Sequence, residues 1–125
     1  MRPLVAVVDD DISVRESLES LIRSVGMDVK VLASAEEYLN LAHSRKADCL
    51  ILDVRLPGMS GIELHHELLA RRNQVPVIFI TAHAYDDQSR SEAASDWTVA
   101  YLTKPFGEDE LLEAVSAALQ WEAGS

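Results

Sequence analysis

Three consecutive carboxylates, Asp9, Asp10 and Asp11, close the apolar run Leu4-Val5-Ala6-Val7-Val8, and a fourth, Asp53, closes Cys49-Leu50-Ile51-Leu52. Thr81 ends Val77-Ile78-Phe79-Ile80, and Lys104 follows Val99-Ala100-Tyr101-Leu102. Carboxylates gathered in one place repel one another, and a hard divalent cation with oxygen ligands relieves that repulsion. A lysine beside them supplies the complementary charge for an anion. The chemistry on offer is therefore that of a cation and an anionic group held together. The aspartate cluster alone does not choose among Mg²⁺, Ca²⁺ and Mn²⁺, since oxygen sites suit all three.

For these residues to meet, the apolar runs must lie side by side. Short apolar runs with polar boundaries read as buried parallel strands. In an open parallel sheet, ligands bind beyond the carboxyl ends of the strands, which is where each of these polar residues falls. Between the strands the period changes. Val14, Leu18, Leu21, Ile22 and Val25 recur at helical spacing up to Gly26, a C-terminal stop. Asp28 to Leu32 alternates like a short strand. Ser34-Ala35-Glu36-Glu37 has the form of a capping box for a second helix, and Ser60-Gly61-Ile62-Glu63 opens a third. The turn-rich Leu56-Pro57-Gly58-Met59 lies just before that third helix. A strand is expected over Val75 to Ile80, a weak helix over Asp86 to Ser95, and a last strand ending near Thr103. The final helix places Leu111, Leu112, Val115, Ala118 and Leu119 on one face. This is β-α repeated five times, an α/β fold with a doubly wound five-stranded parallel sheet. The flavodoxin-like strand order 2-1-3-4-5 is the natural choice for five such units.

Composition bounds the rest. The 125 residues fit one domain, 1–125, with no Gly/Pro/Ser-rich linker. The net charge of −10 argues against nucleic acid as a direct partner, because phosphate backbones need basic surface. No apolar run approaches the roughly 20 residues of a membrane span, and Met1-Arg2-Pro3 does not open a signal peptide. The single Cys49 falls in a buried strand as a small hydrophobe, and a reducing, cytoplasmic setting is expected.

Taken in order and at their spacing, four segments are similar to the receiver domain of two-component response regulators, the chemotaxis-regulator-like superfamily. They are Val7-Val8-Asp9-Asp10-Asp11, Leu50 through Asp53 to Gly61, Ile80-Thr81-Ala82-His83, and Tyr101-Leu102-Thr103-Lys104-Pro105-Phe106. The resemblance runs from about Leu4 to Leu119 and is most like the FixJ subgroup. It implies that Asp53 is a phosphoacceptor. Asp9 and Asp10 would hold Mg²⁺, with Asp10 and Asp53 as direct ligands and a backbone carbonyl from Arg55. Lys104 would contact the phosphoryl oxygens, Thr81 would bind one of them through its hydroxyl, and the small Ala82 would leave room for a donor. The donor would be a sensor histidine kinase or a phosphotransfer protein. Lys104-Pro105 would be a cis peptide. The face made by the fourth helix, fifth strand and fifth helix would meet an output protein, as a monomer or a phosphorylation-dependent dimer. Physical reasoning agrees: a carboxylate can take a phosphoryl group as nucleophile, and an anionic donor can approach an anionic pocket only with a cation present.

Individual residues carry competing readings. Asp11 is expected to cap the first helix rather than bind metal. Tyr101 is either core or the family's switch aromatic. His83 is expected to be a solvated loop residue, with a role in positioning water or a donor as the sharper alternative. His43, His65, His66 and His83 make no metal-ligand pattern, since His65 and His66 point about 100° apart on a helix. Trp97-Thr98 departs from the family's usual Gly-Ala. A glycine there serves a helix end at positive φ, so tryptophan is expected to meet a steric cost and to accompany a remodelled or mobile fourth-helix region.

Other functions fit less well. A phosphorylation-independent interaction module has no need of mutually repelling carboxylates. An aspartyl phosphatase of the haloacid dehalogenase type wants an acid two residues after its nucleophile, where this chain has Arg55. A flavin phosphate loop would be rich in Gly, Ser and Thr after the first strand, where this chain has three aspartates. The expectation is a switchable phosphoacceptor, not an enzyme, that assists its own phosphotransfer.

Overall fold

The computed structural model of the chain describes residues 2–41, 46–82 and 87–121. Strands and helices alternate strictly: β1 Leu4–Val8, α1 Ile12–Ser24, β2 Asp28–Leu32, α2 Ala35–Asn40, β3 Cys49–Asp53, α3 Gly61–Ala70, β4 Val77–Thr81, α4 Asp87–Ala93, β5 Thr98–Thr103 and α5 Glu108–Leu119. The five strands are all parallel, in the order β2-β1-β3-β4-β5.

The alternation of side chains along each strand divides the core in two. Ala6, Val8, Leu50, Leu52, Val77 and Phe79 face one layer, with Tyr38 of α2, Leu64 and Leu68 of α3 and Ala93 of α4. Val5, Val7, Cys49, Ile51, Ile78 and Ile80 face the other, with Leu18 and Ile22 of α1 and Leu111, Val115 and Ala118 of α5. Every residue of β3 and β4 is buried, which is why these segments read as unbroken apolar runs. Burial pushes the Cys49 thiol up to about 12, with Asp48 adding a smaller charge effect, so Cys49 packs as a hydrophobe.

Local chemistry sets the boundaries. Asp11 caps α1, its carboxylate accepting from Ser13 N–H at 2.8 Å. Gly26 adopts φ +86 after that helix, where a Cβ is disfavoured. Complete capping boxes open α2 (Ser34 with Glu37) and α3 (Ser60 with Glu63). β4 starts two residues later than expected. Leu50 N–H still bonds to the Pro76 carbonyl at 2.9 Å, but Pro76 has no N–H to extend the ladder. β4 runs one residue further than expected, to Thr81, which pairs with Thr103 of β5.

α4 ends at Ala93, two residues before the expected end at Ser95, and Asp86, its expected start, lies outside the described residues. The Thr98 hydroxyl takes the Ala93 carbonyl at 2.6 Å, and Ser95 Oγ accepts from Trp97 N–H at 3.0 Å. These bonds turn the chain directly into β5. The cost expected of Trp97 is not incurred, because its φ is not positive. Among the described residues, Arg72 at φ 57 is the only non-glycine there. No helix among the described residues is long and apolar enough to cross a membrane.

Candidate functional site

The register of the sheet brings the polar strand ends together. Val8 pairs with Leu52, and Asp53 pairs with Ile80. Asp9 follows β1, Asp53 and Thr81 close β3 and β4, and Lys104 follows β5, so four strands deliver one residue each to the same edge. Asp9, Asp53 and Thr81 are buried, Lys104 is partly buried and Asp10 is exposed.

Lys104 is the hub. Its Nζ donates to Asp9 Oδ2 at 2.9 Å and to Asp53 Oδ2 at 3.0 Å. Its own N–H donates to the Thr81 carbonyl at 2.7 Å, which fixes the root of the side chain. The Lys104-Pro105 peptide is cis. The second oxygens of the carboxylates take backbone donors: Asp9 Oδ1 from Asp11 N–H at 2.8 Å, and Asp53 Oδ1 from Arg55 N–H at 3.0 Å. Arg15 Nη1 donates to the Asp9 carbonyl at 2.8 Å and so steadies the peptide that leads to Asp10. Gly61 packs against the Asp53 carbonyl so closely that a Cβ would overlap its oxygen, and Gly61 N–H bonds to Val54 O at 3.0 Å. Glycine is required there by the return of the chain under the end of β3.

Burial pushes the Asp53 carboxyl above its ordinary range. The Arg55 and Lys104 hydrogen bonds work against that rise, and the Asp9 charge adds to it. Burial would lower the Lys104 ammonium, yet the hydrogen bonds and charges of Asp9 and Asp53 outweigh it and leave it raised. One cation among three acids leaves net negative charge, so the pocket is built for a further cation. Oxygen atoms of Asp9, Asp10 and Asp53 lie within 4.8 Å of one another. This all-oxygen donor set, with no thiolate or imidazole, fits a hard divalent ion.

Of the residues singled out in the sequence, Asp9, Asp10, Asp53, Arg55, Thr81 and Lys104 converge here, and Ala82 is exposed at the end of β4. Tyr101 stands back from the carboxylates on β5. Its ring is 6.2 Å from that of Phe79, and the Arg90 guanidinium lies over it at 5.0 Å. His83 lies outside the described residues.

Sequence reasoning missed the polar ties that hold α4. His66 Nε2 meets the Glu92 carbonyl at 2.9 Å, and His65 Nε2 meets Ser95 Oγ at 2.8 Å. Thr98 gives its one proton to Ala93, so Ser95 donates to Thr98 at 3.3 Å and accepts from Trp97 and His65. That sequence of donors puts the His65 proton on Nε2 and leaves buried Nδ1 without a partner among the described residues. The signal that could have pointed to His65 was its place in the apolar spacing of α3.

Burial holds the His65 imidazole down at about 4, with the neighbouring His66 contributing less. The folded state then binds a proton more weakly than the unfolded chain, whose histidines titrate near 6.5. Stability from this group is complete above about pH 6.5 and is lost as pH falls toward about 4, by an amount on the order of 3 kcal/mol. Urea midpoints from pH 7.5 to 4.5 should therefore fall more steeply for the wild type than for His65→Gln, which can still donate to Ser95. Equal slopes would contradict a neutral, buried His65.

With this geometry in place, comparison with known proteins identifies the family. The response regulator receiver domain family matches residues 5–116, and the chain belongs to it. The chain is 44% identical over 119 residues to Nodulation protein W of Bradyrhizobium diazoefficiens, covering 95% of this chain and 52% of that protein. It is 40% identical over 115 residues to the transcriptional regulatory protein FixJ of Azorhizobium caulinodans, covering 92% and 54%. The crystal structure of FixJ-N superposes with a TM-score of 0.87 at 33% identity, covering 100% of this chain and 99% of that one. The chain spans about half the length of the curated relatives it matches.

Proposed function

We propose that this domain, spanning the 125 residues, is the phosphoacceptor of a two-component relay and that Asp53 takes the phosphoryl group. The observation that carries this reading is the bridge from Lys104 Nζ to two buried carboxylates, Asp9 and Asp53, beside exposed Asp10. A protein that only presents a surface gains nothing from burying like charges, since each loses hydration. Asp9, Asp10 and Asp53 would hold Mg²⁺, with the Arg55 backbone carbonyl. When bound, the ion neutralises charge on the incoming phosphoryl group.

The remaining work falls to the chain. An Asp53 oxygen forms a bond to phosphorus while the bond to the donor's leaving group breaks, and the leaving group keeps the electron pair. Lys104 can turn from Asp53 to a phosphoryl oxygen with little movement, because its root is fixed at Thr81. The Thr81 hydroxyl binds another of those oxygens, and Ala82 leaves the approach open. The donor is a sensor histidine kinase or phosphotransfer protein, and the chain is a phosphoacceptor rather than a turnover enzyme. Incubation with acetyl phosphate should add the mass of one phosphoryl group in Mg²⁺ and none in EDTA. Absence of label under both conditions would favour the phosphorylation-independent interaction module.

Phosphorylation would also draw the Thr81 hydroxyl toward the new charge and let the Tyr101 ring turn inward, shifting the surface of α4, β5 and α5 on which an output protein docks. The position of Tyr101 between Phe79 and Arg90 supports this. Hydrogen exchange over residues 87–106 should change on adding beryllofluoride with Mg²⁺, and protection confined to the Asp53 loop would contradict the switch. Exchange is the better readout than Trp97 fluorescence. Trp121 donates to the Asp96 carbonyl at 2.7 Å, so a Trp121→Phe background would disturb the reporter it is meant to isolate.

A further inference from the structure

We propose that Glu36, on α2 and outside the acidic pocket, is a positioning residue for that pocket, holding the loop 54–60 in the shape that metal binding needs. The inference rests on the function proposed above.

At its base the loop is held, among the described residues, by Arg55 N–H on the Asp53 carboxylate at 3.0 Å and by Gly61 N–H on the Val54 carbonyl at 3.0 Å. Its tip is tied to a different element. Glu36 Oε2 accepts from Met59 N–H at 3.0 Å, across a sequence separation of 23. The same oxygen closes on Gly58, where a Cβ would come within 2.6 Å of it, and Gly58 adopts φ +73. The carboxylate therefore fills the place a side chain would occupy, and the turn is shaped around it. The Met59 hydrogen bond also holds the Glu36 carboxyl below its ordinary range, so it is charged at neutral pH. Glu36 is itself placed by the capping box that fixes the first turn of α2. Arg55, whose carbonyl is the proposed backbone ligand, lies between the ties at base and tip. Leu56 stays buried in the core, so freeing the tip loosens the turn without unseating the loop, and the added play at the Arg55 carbonyl weakens metal binding while leaving the carboxylates and Lys104 in place.

The test uses the whole chain as wild type, Glu36→Ala and Glu36→Gln. Mg²⁺ is titrated by calorimetry, and the acetyl phosphate reaction is followed over the same range. Glu36→Ala should raise the Mg²⁺ concentration for half-saturation about fivefold, the size of one net hydrogen bond. The labelling rate at saturating Mg²⁺ should stay close to that of the wild type. Glu36→Gln keeps an acceptor oxygen and should restore wild-type half-saturation. A merely structural role would lower the metal-free melting temperature of Glu36→Ala and leave its half-saturation unchanged. That result would overturn this inference alone. A wild type that binds no Mg²⁺ would overturn the metal reading beneath it, and this inference with it.

Discussion

Asp53→Asn should take no phosphoryl group from acetyl phosphate in Mg²⁺, while its circular dichroism matches that of the wild type. The side chain closes β3 at the point where three strands deliver charge, and its Oδ2 is one of two anchors for Lys104. The amide has the same shape and keeps an acceptor for Arg55 N–H or Lys104, so the fold has no reason to change. It lacks the nucleophilic oxygen, so the loss is complete rather than partial. Burial and the Asp9 charge already disfavour ionised Asp53. Removing that charge relieves the cluster, and the melting temperature without metal should equal or exceed that of the wild type. Equal labelling of both proteins would remove Asp53 from the account.

Mg²⁺ should stabilise the folded domain through a site the unfolded chain does not possess. At roughly 100 times the dissociation constant the gain is about 2.7 kcal/mol, read as a rise in melting temperature that saturates with Mg²⁺. Asp10→Ala should abolish most of that rise. Asp10 is the exposed member of the cluster, and its carboxylate has no part in the Lys104 bridge. Its removal therefore takes away a ligand without unpairing the lysine. A melting temperature indifferent to Mg²⁺ would contradict a preformed metal site.

Different parts of the molecule are visible at very different levels of the sequence. Buried parallel strands announce themselves as apolar runs, and the residues at their ends are also those that converge on the acidic pocket. For that reason Asp9, Asp53, Thr81 and Lys104 were legible without coordinates, as were the caps at Asp11, Ser34 and Ser60, while the strand order, the natural choice for five β-α units, is set by the fold rather than by the sequence pattern. Boundaries were less legible where a single side chain decides them. Pro76 delays β4 because it lacks an N–H, and Thr98 ends α4 by taking the Ala93 carbonyl. The Trp97 expectation failed because the turn before β5 is closed by Ser95 rather than by a left-handed residue.

Least legible were the contacts between elements distant in sequence. The spacing of α3 puts His65 in the core, but nothing in the sequence marks the pairing of His65 with Ser95 or of Glu36 with Met59. Each depends on which helix the fold lays beside which loop. His65 sits at an apolar position of α3, and a neutral, buried histidine is indistinguishable there from any other core residue until its partner is known.

The most direct test of the account is to find the labelled residue. An aspartyl phosphate is reduced by borohydride to homoserine, which survives digestion and sequencing by mass spectrometry. After treatment with acetyl phosphate and Mg²⁺, homoserine should replace Asp53 in the peptide that carries it, with Asp9, Asp10 and Asp11 intact. Homoserine at any of those three positions, or none in a protein that has gained the phosphoryl mass, would contradict it.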